Sequence, residues 1–126
     1  MSEVLDAFNR RDLDGYLARI SPDVEWDLRE GFLGVQDVYR GWAGVRKWWN
    51  DFLEAWERFD GEIDEMAEGK VGAVLVGING KGRGSASGVK TELHFLFVIW
   101  VADRKVARLR MFQSRDEALE AAGLRE

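Results

Sequence analysis

The chain has 126 residues, is 46% hydrophobic and carries a net charge of −5, enough for one domain with one real core and too little for two. It has no Cys and one His, which excludes disulfides, thiolate nucleophiles, Cys-ligated metals and any His-rich zinc site, so no metal or cofactor is expected. No Lys/Arg-rich block offers a footprint for nucleic acid, no apolar run approaches the roughly 18 residues of a membrane span, and "MSEVLDAFNRRD" does not read as a signal peptide. A cytoplasmic location is the expectation.

In chain order, Val4, Leu5 and Phe8, then Leu13, Tyr16, Leu17 and Ile20, fall at helical spacing and predict one or two short helices broken near "RRDLDG". Val24 and Trp26 alternate with Glu25 and Asp27 as a short strand does, and the loop "REGFLGVQDVYRG" follows. The strongest helical pattern comes next: Val45, Trp48, Trp49, Phe52, Leu53, Trp56 and Phe59 share one face, with charged and amide side chains opposite. Strands are then expected at Glu62 to Ala67, Val71 to Ile78, Lys90 to Val101 and Val106 to Gln113, with "NGKGRGSASG" as a hairpin turn. Arg115 to Ala122 reads as a closing helix stopped by Gly123.

Helices first and an antiparallel meander second is an α+β order, and residues 1–126 read as a single domain. Both faces of the long strand look dry, Phe95, Phe97 and Ile99 on one and Leu96, Val98 and Trp100 on the other. One group of helices covers one face, so the other is expected to be buried by a second copy, making a homodimer through the sheet. Six Trp and seven Phe exceed what a small core requires, since each ring buries roughly 150–250 Å². The surplus points to a ligand pocket or a subunit interface.

Few groups here could do chemistry. Asp27, beside Trp26 at a strand end, is the carboxylate whose surroundings could raise its pKa into the general-base range, although alternation groups it with Glu25 and away from Trp26. His94 is either a pocket group or a hydrogen-bonded wall residue. The segment "GINGKGRGSASG" is not a phosphate loop, because it lacks the GK[ST] ending and runs into a strand where a helix N-terminus is needed.

Three segments, "AFNRRDLDGYLARISPDVEW", "VYRGWAGVRKWWNDFLEAWERF" and "MFQSRDEALEAAGL", together resemble the SnoaL-like family of the nuclear-transport-factor-2-like superfamily over essentially the whole chain. The resemblance implies a cone: a curved antiparallel sheet wrapped around the N-terminal helices and one long helix, with an internal apolar pocket and dimers through the convex face. Registration on the steroid isomerases of that superfamily puts their first-helix Tyr at Val4 and their protonated Asp at Leu96, so both oxyanion donors are missing. The base position alone is filled, by Asp27. Where the cyclases carry a late-strand acid, this chain has Gln113 and Ser114. The same registration turns His94, Leu96, Val98 and Trp100 toward the pocket, with Tyr16, Trp26, Tyr39, Trp48, Leu109, Met111 and Gln113 completing the expected substrate-binding set.

Two functions follow from this. One is a cofactor-independent isomerase, cyclase or hydrolase acting on a small apolar or polyketide-like molecule, with Asp27 as base and His94, Tyr39 or Gln113 polarising an oxygen. The other is a noncatalytic ligand-binding or dimerisation module whose few polar groups only orient a guest.

Overall fold

The computed structural model describes residues 2–29, 38–84, 88 and 90–124, so most of the predicted loop after Asp27 and the tip of the hairpin after Gly84 lie outside the described residues. Two short helices open the chain, α1 (Ser2–Asn9) and α2 (Leu13–Ala18). Arg11 breaks them with a left-handed φ of 59°, and Asp12 restarts the helix by accepting from the Gly15 amide at 3.0 Å. Strand β1 (Ile20–Asp27) and the short β2 (Val38–Arg40) precede the long helix α3 (Gly41–Ala55). Four longer elements complete the sheet, β3 (Trp56–Glu68), β4 (Ala73–Gly84), β5 (Lys90–Ala102) and β6 (Lys105–Phe112), and α4 (Arg115–Ala121) ends the fold.

The six strands form one curved, unclosed sheet in the order β2-β1-β6-β5-β4-β3. Neighbours are antiparallel except β1 and β6, which run parallel, a pairing outside the expected meander. Helices α1, α2 and α3 fill the concave side through Val4, Phe8, Tyr16, Val45, Trp49 and Phe52.

Ile20, expected in the N-terminal helices, instead opens β1, and β2 lies in the expected loop; two further differences have a clear physical reason. The apolar periodicity of α3 runs on through Trp56 and Phe59, yet both belong to β3, because the chain turns into a strand whose side chains still face the same aromatic core. The glycine-rich segment is strand rather than turn as far as Gly84. Its glycines make room for aromatic rings of β3: a Cβ on Gly80 would run into the Phe59 ring, and one on Gly82 would come within 2.7 Å of both Phe59 and Trp56.

The convex face also has an occupant. Ala118 and Ala122, in and just after α4, pack with Ala73, Leu75, Leu96, Val98 and Phe112 in a second core on the far side of the sheet. Leu96 and Val98 on the dry second face of β5 are therefore covered by the chain's own C-terminal helix, while Trp100 on the same face is only partly buried. Ser114 caps α4 by accepting from the Glu117 amide, and Arg115 anchors it through a bidentate pair with Glu65 of β3. Among the described residues no helix is long and apolar enough to cross a membrane.

Candidate functional site

Between the concave sheet and the helices lies a partly open cavity of about 110 Å³. That far exceeds the roughly 10–15 Å³ that admits one water molecule and approaches the about 150 Å³ that takes benzene in an engineered core. The helices contribute Val4, Leu5, Phe8, Tyr16, Trp48 and Phe52 to its wall. Alternation brings Trp26 from β1 and Leu28 just after it, Val76 and Ile78 from β4, Phe95, Phe97 and Ile99 from β5, and Leu109 and Met111 from β6. Cross-strand register explains the last two groups, since Phe97 pairs with Met111 and Ile99 with Leu109, so all four share one face.

A clasp holds α1 against this wall. The Asn9 side chain donates to the Gly61 carbonyl and accepts from the Gly61 amide, both at 2.9 Å, joining the end of α1 to β3. Gly61 lines the cavity itself, and a Cβ there would meet Leu5 at 3.1 Å and Ile78 at 3.3 Å.

Among the described residues the wall is hydrocarbon but for the Tyr16 phenol, the Trp26 and Trp48 indoles and the Met111 thioether. Tyr16 is 5% exposed, and burial pushes its phenol far above the ordinary tyrosine value, so it stays neutral. Trp26 is 3% exposed and its Nε1–H is buried without a hydrogen-bond partner. Leaving such a donor unmade costs about 1–3 kcal/mol. By contrast, Trp42 donates its indole N–H to the Ile20 carbonyl at 2.8 Å.

Of the residues expected from the sequence, Tyr16, Trp26, Trp48, Leu109 and Met111 meet at the cavity. The others do not. Asp27 falls between Trp26 and Leu28 and is turned away from the cavity, buried against Arg29, whose Nε and Nη2 donate to its two oxygens at 3.1 and 2.8 Å. The Arg29 hydrogen bonds, with Arg29 and Arg110 charges nearby, hold its carboxyl below the ordinary carboxylate range, the reverse of a tuned base. His94 is half exposed on the outer face, 3.0 Å from an Asp64 oxygen of β3, and Leu96, Val98 and Trp100 share its direction. Leu96 and Val98 lie against α4, and the Arg108 guanidinium stacks 4.6 Å over Trp100. Tyr39 packs at the edge of the first core, with Lys47 over its ring, and Gln113 is exposed beyond β6.

Among the cavity residues that sequence reasoning passed over are Phe8, Phe59, Phe95, Phe97 and Ile99. One signal was available: on β5 the polar Glu92 and His94 share parity with Leu96, Val98 and Trp100, which marks that face as the wetter one.

A model of the SnoaL-like domain matches residues 1–109. The chain belongs to the SnoaL-like domain family. No curated protein matches the sequence. Among solved structures, TerC crystallised with polyporic acid is 21% identical, with 94% of this SnoaL-like chain and 92% of TerC covered at a TM-score of 0.77. An NTF2-like protein of unknown function from Burkholderia pseudomallei is also 21% identical, with 94% and 91% covered and the same TM-score of 0.77. A Mycobacterium tuberculosis protein in complex with estradiol-17beta-hemisuccinate is 14% identical, with 91% of each chain covered and a TM-score of 0.73. At these identities the likeness is one of fold.

Proposed function

We propose that this SnoaL-like chain is a noncatalytic binding module for a small, uncharged, largely apolar molecule held inside the cone. One observation carries the reading. Among the described residues the cavity wall bears no carboxylate, imidazole or ammonium group, only hydrocarbon, one thioether, one phenol and two indoles. A general base must reach the proton it takes within about 2.6–3.2 Å or through one water, and neither Asp27 nor His94 lines the wall. Burial of apolar surface is the interaction such a cavity supplies, and a charged guest would lose hydration with no counter-ion to replace it. Relatives of the same fold crystallised with small organic molecules fit this reading.

The test is direct binding of a small aromatic hydrocarbon such as toluene, followed by tryptophan fluorescence and calorimetry. The native chain is expected to bind saturably, and Val76→Phe, which grows a ring from the β4 wall into the cavity, to lose that binding while keeping its circular dichroism. Absence of saturable binding by the native chain would overturn the reading, and turnover abolished by Asp27→Asn on any substrate would replace it with the acid–base enzyme.

A further inference from the structure

A second concavity lies away from the aromatic cavity and shares no residue with it, a groove whose charged lining is Arg58 and Asp60 of β3, Lys81 and Arg83 of β4, and Lys90 and Glu92 of β5. Strand register sorts these six groups into two rows. Arg83 faces Arg58 on one side and Lys90 on the other, and two residues along β4 Lys81 faces Asp60 and Glu92. Alternation puts both rows on the outer face with His94. The first row is three cations side by side, and like charges directly opposite one another destabilise a sheet. The two carboxylates are engaged along other directions: Asp60 accepts from the Arg58 Nε at 3.0 Å, and Glu92 accepts from the Asn79 amide at 3.0 Å. Among the described residues Arg58 with Asp60 is the one ion pair of the groove, and Lys81, Arg83 and Lys90 are exposed without one. This cationic row stands in a chain of net charge −5.

We propose that the Arg58–Arg83–Lys90 row is a binding site for a short, soluble oligophosphate lying across the three strands, with the Arg83 guanidinium at its centre. Such an anion relieves the repulsion that the sheet alone leaves in place, and a guanidinium fork engages phosphate oxygens two at a time. Three strands span two inter-strand spacings, roughly 10 Å, a width that a chain of two or three phosphates fills and a single carboxylate does not. The second row sets the length. A long polyanion running along the strands meets Asp60 and Glu92, and then Glu62 in the row beyond, whereas a short one across the strands meets cations.

Calorimetric titration of the full chain with tripolyphosphate in low-salt buffer tests the site. The native chain is expected to bind one equivalent saturably, and Arg83→Gln to weaken that binding by about tenfold. Arg46→Gln, which removes an exposed cation of α3 on the other side of the sheet, is expected to change it by less than about twofold. Arg83→Gln should also melt no lower than the native chain, because it removes a repulsion rather than a contact. Equal losses in the two variants would reduce the effect to net charge and overturn the site, as would absence of saturable binding. A poly-glutamate peptide that binds more tightly than tripolyphosphate would give the row to an acidic protein segment and overturn the oligophosphate assignment. A lowered melting temperature of Arg83→Gln would mean that the fold itself holds this guanidinium, and would overturn the premise of an uncompensated row.

Discussion

At the scale of single residues, Asp27 shows how a plausible catalytic group becomes a structural one. Its carboxylate is buried, and a buried carboxylate must gain hydrogen bonds or lose its charge. Here Arg29, two positions on, supplies both a backbone and a guanidinium donor to it, and the charge is kept. A carboxyl held below its ordinary value contributes stability that is fully present above the unfolded value of 3.8 and is lost as pH falls through the lower folded value. Asp27→Asn is therefore expected to destabilise the chain by about 1.5–3 kcal/mol near neutral pH, with the gap to the native chain narrowing below pH ~4. Urea unfolding of both forms across that range measures it. A gap that widens on acidification would mean that the folded carboxyl is raised, as a general base requires. His94 gives the complementary case: half exposed and paired with Asp64 on the outer face, it has no route to the cavity without crossing the sheet.

At the scale of elements, what the sequence revealed and what it hid have separate causes. The short helices, the long Trp-bearing helix, the long strand and the closing helix were legible because each has a regular apolar period and a stop signal such as Pro22 or Gly123. The glycine-rich strand was hidden because its glycines serve rings that lie far away in sequence, Phe59 and Trp56, and no local pattern records that demand. The face of β5 was misread for a related reason. With apolar side chains on both faces of its second half, the strand's one cue is the polar pair Glu92 and His94 at its start, and a borrowed register overrode it. The cover on its outer face is α4, where Ala118 is fully buried against β4 and β5. A small side chain there lets the helix lie close. Ala118→Leu is expected to cost about 1–3 kcal/mol by overpacking, read from the urea midpoint at unchanged m-value, while a surface change such as Arg115→Ala should move that midpoint much less because its ion pair is solvated.

At the scale of the whole molecule, one ring ties the helices to the sheet. Phe8 of α1 lies 5.3 Å from the Trp49 ring and 5.9 Å from Phe52 of α3, 6.1 Å from Tyr16 of α2, and 6.3 Å from Phe59 of β3. It also faces the cavity, so its removal should enlarge that space rather than open a separate void. Phe8→Ala is expected to cost about 3–5 kcal/mol, the usual loss for a buried ring whose site does not collapse. Such a loss is reversible by mass action, because a guest that binds the folded state alone stabilises it by RT ln(1 + [L]/Kd). Toluene at fixed concentration should therefore raise the melting temperature of Phe8→Ala more than that of the native chain. A melting temperature that falls by the expected amount but does not respond to toluene would mean that helices and sheet close over the gap, and that the hollow depends on this ring to stay open.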